Sequence, residues 1–88
     1  TKRSHFEMAM EMLRFFRKRK PESVIMQQLG VNYNTFAALA QLVFDRGMVS
    51  KELERSGGRP KVIYRPTASG TRATMLYEEL LAMMGAGP

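Results

Sequence analysis

The stretch from Val24 to Val49, VIMQQLGVNYNTFAALAQLVFDRGMV, constrains this chain more than any other part of it. Two helix-like segments meet there across a tight turn, Leu29-Gly30-Val31-Asn32. Glycine takes a positive φ at little steric cost, so Gly30 is suited to close the first helix. Asn32 offers a side-chain oxygen to the free N–H groups of the next helix, which is the work of an N-cap. The second segment brings Phe36, Leu39, Ala40, Val43 and Phe44 onto one face at helical spacing, a core face. Its outer face carries Asn34, Ala37, Ala38 and Gln41, all short or uncharged. Two helices about a Gly turn, the second with a short-chain outer face, make a helix-turn-helix pattern.

The flanking sequence supplies the rest of one domain over residues 1–88. Residues 3 to 19 read as a first helix with two apolar stripes: Phe6, Ala9, Met10, Leu13 and Phe16 on one side, Met8, Met12 and Phe15 on the other. A surface helix of a monomer needs one stripe, so the second predicts contact with another subunit, the alternative being a larger core around this helix. Glu11 and Arg14 are spaced for an i,i+3 ion pair. The helix ends in Arg17-Lys18-Arg19-Lys20, more cations than a helix C-terminus calls for, and this run is a candidate for phosphate contact. Pro21 stops that helix and can open the next, over 22–29, with Val24, Ile25 and Leu29 inward and Ser23 available to a phosphate. The following helix runs over 33–46, with Gly47 closing it. A hairpin over 48–65 comes next, with alternating strands 48–55 and 61–65 and a loop Ser56-Gly57-Gly58-Arg59-Pro60. Thr67 caps a last helix over about 68–84. Its apolar face of Ala73, Leu76, Tyr77, Leu80, Leu81, Met83 and Met84 spans nearly half the circumference, which again predicts a shared dimer surface. Residues 85–88 read as a frayed tail.

Charge and composition narrow the function. The net charge is +6, which favours a polyanionic partner, nucleic acid before an anionic membrane for so small a domain. Apolar runs are far shorter than a membrane span, so no membrane partner is expected. There is no cysteine for disulfide or thiolate chemistry. His5 is the sole histidine and has no partner ligands near it in the sequence. Gly57-Gly58 lacks the Gly-Lys-Ser/Thr ending of a phosphate-binding loop. The chain therefore reads as a non-enzyme, with no catalytic residue, metal site, cofactor motif or legible small-molecule ligand.

Order and motif together resemble the winged helix-turn-helix family, above all small archaeal winged-helix transcriptional regulators and chromatin-associated proteins, and more distantly the PadR and MarR groups. The residues that carry the likeness are Leu29 to Phe36, Asp45-Arg46-Gly47-Met48-Val49, and Gly57 to Thr67 followed by Gly70. The resemblance implies a mostly α, α+β fold of three helices, a two-stranded wing and a C-terminal dimerisation helix. It implies that Tyr33, Asn34, Thr35, Ala37, Ala38 and Gln41 face the major groove of double-stranded DNA. Asn34 or Gln41 would suit an adenine edge, and the two alanines thymine methyl groups. It implies that Arg59, at the wing tip, reaches the minor groove or backbone, where an Arg suits a narrow A·T groove. Arg55, Lys61, Ser23, Arg17, Lys18, Arg19 and Lys20 are expected on the phosphates around it. A homodimer is also implied, and the expected interface residues are Met8, Met12, Phe15, Leu76, Tyr77, Leu80, Met83 and Met84. A regulator of this kind works in the cytoplasm at the nucleoid. One departure matters: no Lys or Arg lies on the recognition face between Asn32 and Asp45. Guanine readout by a bidentate Arg is then excluded from this helix, and backbone contact should dominate. Two alternatives stay open, an architectural binder of low specificity and a winged-helix protein-interaction module that binds no DNA.

Overall fold

A computed structural model describes residues 4–85; the start of the expected first helix and most of the expected tail lie outside them. The fold is α+β and mostly helical: α1 (His5–Arg17), α2 (Glu22–Leu29), α3 (Tyr33–Asp45), β1 (Val49–Ser56), β2 (Arg59–Pro66) and α4 (Ala68–Met83). The two strands form one antiparallel sheet. This architecture is compatible with a winged helix.

The helix boundaries follow from local chemistry. Ser4 caps α1 by accepting from the Glu7 N–H at 3.1 Å, and Asn32 caps α3 by accepting from Thr35 N–H at 2.9 Å. Gly30 closes α2 at φ 69°, in the left-handed region. The end of α1 departs from expectation. Its last helical residue is Arg17, and the chain leaves it through Arg19 at φ 57°. Lys20 N–H returns to the Phe15 carbonyl and Arg19 N–H to the Phe16 carbonyl, a Schellman closure built on an arginine where glycine is usual. Pro21 is the N-cap of α2 and not its first residue, since its ψ of 152° is extended.

The core sits where α1 crosses α3, α4 and β2. Phe36, Leu39, Ala40 and Val43 of α3 are buried against Leu13 and Phe16 of α1, Ile25 of α2 and Val49 of β1. Phe16 meets Phe36 edge-on at 6.2 Å and stacks on Tyr64 at 5.3 Å. Burial of each large apolar side chain contributes about 1.5–3 kcal/mol, so this cluster dominates stability.

The structure departs from the sequence pattern at the second stripe of α1, at Phe44 and at the hairpin loop. Met12 is 0% exposed, enclosed within the protomer, and has nothing to offer a second subunit. Met8 and Phe15 also pack against the same core. The second stripe of α1 is thus filled within the chain, because neighbours surround this helix on several sides. Phe44 is 36% exposed where a core position was expected. Its ring lies beneath Lys51, whose Nζ stands 4.2 Å from the ring centre, so a lysine stem stands in for core contacts. The hairpin loop is also shorter than expected. Gly57 and Gly58, at φ 72° and 89°, form the whole turn, and Ser56 already pairs with Arg59. Two consecutive positive φ values are what a twisted two-residue hairpin turn needs.

The register sets Leu53 opposite Val62 on the face that also carries Val49 and Tyr64. Val49 and Tyr64 reach the core, whereas Leu53, farther out, is 66% exposed. The hairpin therefore projects beyond the helices, and the molecule is elongated, with extents of 46 × 29 × 21 Å.

The start of α4 is pinned at the base of the hairpin. Thr67 donates its hydroxyl to the Gly47 carbonyl at 2.6 Å and accepts from Gly70 N–H at 3.2 Å. Its own N–H donates to the Met48 carbonyl at 2.9 Å. A Cβ on Gly70 would collide with that same Met48 carbonyl, so this glycine is there for close approach. Farther along, the wide apolar face of α4 divides. Ala73 and Tyr77 turn to the core, Tyr77 meeting Phe6 edge-on at 6.3 Å. Leu76, Leu80, Met83 and Met84 stay exposed. Of the expected interface residues, Tyr77 thus belongs mainly to the protomer's own packing.

Candidate nucleic-acid interface

The outer face of α3 begins at its first turn. Tyr33 is exposed and shares a shallow depression with Glu22, Ser23 and Asn32. Asn34, Ala38 and Gln41 are exposed, while Thr35 and Ala37 are half-buried on the shoulder of the helix. Four buried side chains behind them, Phe36, Leu39, Ala40 and Val43, seat the helix against the core and turn this face outward.

Gln41 is already engaged. Its Nε2 donates to Asp45 Oδ1 at 2.7 Å, one helical turn on. Its Oε1 accepts from Lys51 Nζ at 3.5 Å. Lys51 comes from β1, opposite Tyr64 in the register, and stands 6.0 Å from the Tyr64 ring as well as over Phe44. This cluster joins the base of the hairpin to the outer face of α3. The sequence points to Gln41 but not to Asp45 and Lys51 as its partners. The i,i+4 spacing of Gln41 and Asp45 was the available signal; the approach of Lys51 depends on how the hairpin folds back.

The basic residues divide into three settings. Arg55, Arg59 and Lys61 are exposed on the outer half of the hairpin, and none has a carboxylate partner among the described residues. Arg19 and Lys20 line a cavity of about 330 Å³ together with Lys61 and Arg65, so the junction of α1 and α2 faces the second strand. Glu22 and Glu54 lie in the same lining and temper its positive charge. Arg65 itself is paired with Glu52 at 2.6 Å. Lys18 is exposed at the C-cap of α1.

Arg17 is placed differently from the rest of its run. It donates to Thr74 Oγ1 at 2.8 Å and to Glu78 at 3.2 Å, both on α4. Arg14 holds the other oxygen of Glu78 at 3.2 Å and Glu11 at 3.1 Å. Burial alone would lower the Arg14 pKa, but Glu11 and Glu78 together outweigh it and raise it. The two arginines thus clamp α1 to α4. Arg17 is committed inside the protomer, not held out with Lys18 to Lys20.

Two tyrosines have raised pKa values. Tyr64 is pushed up by burial, with lesser contributions from Glu22 and Tyr33; Tyr77 is pushed up by burial and then by Glu11.

Among the described residues no group of three His, Asp or Glu side chains converges as a metal site, and no helix is long and apolar enough to cross a membrane. No family model matches the chain, and no curated protein is significantly similar to it.

The arrangement is suited to a long anionic partner. An uncharged, short-chain helix face allows close approach, Lys51 at the base of the hairpin adjoins it, and further cations lie on the hairpin and at the α1–α2 junction that faces it.

Proposed function

We propose that this protein is a winged helix-turn-helix binder of double-stranded DNA acting as a transcriptional regulator at the nucleoid. The observation that carries the reading is the junction at Gln41 and Lys51. It joins the base of the hairpin to the outer face of α3, and Arg55, Arg59 and Lys61 lie farther out along the same two strands. In this reading Asn34, Ala38 and Gln41 enter the major groove, with Thr35 and Ala37 at its wall. The hairpin lies on the backbone or in the neighbouring minor groove. Lys18, Arg19 and Lys20 meet phosphates beside it. The exposed α4 residues Leu76, Leu80, Met83 and Met84 pair with a second copy, so that two recognition helices meet successive major grooves.

A second reading, architectural binding with little sequence preference, is favoured by one specific feature. The cations surround α3 and none lies on it between Asn32 and Asp45, so backbone contact outweighs base readout.

Fluorescence anisotropy against an A·T-rich and a G·C-rich duplex at several salt concentrations tests both. Log affinity should fall steeply with log salt, with a slope of about 0.9 for each phosphate neutralised and roughly four to eight phosphates per dimer. A clear A·T preference supports the regulator, and equal affinities support the architectural binder. Failure to bind either duplex at low salt would overturn the DNA reading and leave a protein-interaction domain.

A further inference from the structure

We infer that Asp45 and Lys51 are positioning residues that set the base preference of Gln41, an inference that rests on α3 facing the major groove. A glutamine amide has two N–H donors and two acceptor lone pairs. Asp45 takes one donor at 2.7 Å and Lys51 one lone pair at 3.5 Å. One donor and one acceptor remain. That pair is the complement of an adenine edge, which shows N7 as acceptor and N6 as donor in the major groove. With carboxylate on one side and ammonium on the other, the amide cannot turn over without placing like groups together. Its orientation is therefore determined before any DNA arrives, and the ordering cost at binding is small.

The location of Asp45 argues in the same direction. It is the last residue of α3, where the helix dipole disfavours a negative charge. A carboxylate there also faces an expected phosphate partner. Both effects make Asp45 unfavourable for stability and for affinity, and its hydrogen bond to Gln41 is the contact that gives it a use. Lys51 is held by the same cluster, its Nζ 4.2 Å from the centre of the Phe44 ring, so it is ordered although it lies at the surface.

The test begins with wild-type protein and a randomised duplex library, from which a preferred site is selected. Each base pair of that site is then replaced in turn and affinity measured. Gln41→Ala should flatten the preference at one A·T position, by roughly tenfold or more. Asp45→Ala and Lys51→Met should each flatten that same position and leave the others unchanged. Overall affinity should meanwhile move in opposite directions, rising for Asp45→Ala as repulsion is removed and falling for Lys51→Met. A helix-stabilising role alone would shift melting temperature and leave that position's preference in place. Asp45→Asn, nearly the same shape without the charge, guards against an artefact of truncation and should also raise overall affinity. The inference is overturned if Gln41→Ala flattens a position that Asp45→Ala and Lys51→Met both retain. It is overturned equally if Gln41→Ala flattens none, or if wild type binds DNA with no preference, and in these cases DNA binding itself still stands. Wild type that binds no duplex would remove both.

Discussion

Arg19 carries a local cost that a single substitution exposes. Its φ of 57° lies in the left-handed region, which costs a residue with a Cβ about 1–2 kcal/mol. Glycine would relieve that strain and lose roughly 0.5–1 kcal/mol to chain entropy. Arg19→Gly should therefore stabilise the fold by up to about 1 kcal/mol, a rise in Tm of about 4–8 °C for a domain of this size. If Arg19 meets DNA, the same variant should bind duplexes more weakly, so circular dichroism melting and anisotropy would move in opposite directions. Tyr64 and Tyr77 make a second prediction. Both have pKa values raised in the folded state, so each phenol binds its proton more tightly there than in the unfolded chain. Their contribution to stability is complete below the unfolded value of about 10 and is lost as pH rises through the folded value. Thermal melts should show Tm falling above pH 10, and Tyr64→Phe with Tyr77→Phe should flatten that fall. Residues whose roles depend on their neighbours in sequence were legible beforehand: Gly30 and Asn32 act through groups within a few positions. Arg17 was not, because its partners Thr74 and Glu78 lie 57 and 61 positions away on another helix.

Among the elements, α4 depends most on one close approach. Gly70 lies against the Met48 carbonyl that Thr67 also uses, so the start of α4 and the turn before β1 form one unit. Gly70→Ala forces that unit apart and should destabilise by about 1–3 kcal/mol, despite alanine's better helix propensity. Urea unfolding should show a lower midpoint, and a midpoint equal to or above wild type would contradict the packing described. The hairpin shows how periodicity informs and where it stops. Alternation gave two strands and the glycines a loop between them, because both signals are local, but the loop was expected over 56–60 and the turn is Gly57-Gly58 alone. It did not reveal that Leu53 and Val62 project beyond the core, since alternation reports which face a residue occupies and not what lies against that face. The two stripes of α1 illustrate the same limit. Helical spacing identified Met12 as apolar on a second side, but the helix's own neighbours in the chain, and not a second subunit, enclose it. The outer face of α3 was legible as a surface because its residues are short and uncharged. The ties from Gln41 to Asp45 and Lys51 required the helix and hairpin to be set in place together.

For the molecule as a whole, the apolar surface of α4 remains the feature that the fold does not explain by itself. Leu80 is 57% exposed and Met83 83% exposed, and with Leu76 they follow i, i+4, i+7 spacing along the outward side. Scattered exposed apolar residues are ordinary, whereas a continuous stripe on the last helix is suited to pairing about a two-fold axis. The clamp of Arg14 and Arg17 on Glu78 connects that helix to α1, so a partner on α4 would be rigidly related to the cations that follow Arg17. Dimerisation and DNA binding should then be coupled through geometry. Two recognition helices set about 34–36 Å apart engage successive major grooves, and linking them converts the second contact into an intramolecular one. Leu80→Glu tests this with little risk to the fold, because the side chain does not belong to the buried cluster. Sedimentation should give a dimer for wild type and a monomer for the variant, with an unchanged far-ultraviolet spectrum. Affinity for a two-half-site duplex should fall by about 10²-fold or more, while affinity for a single half-site changes little. Wild type that sediments as a monomer at every concentration and on DNA would show that the α4 stripe serves another partner.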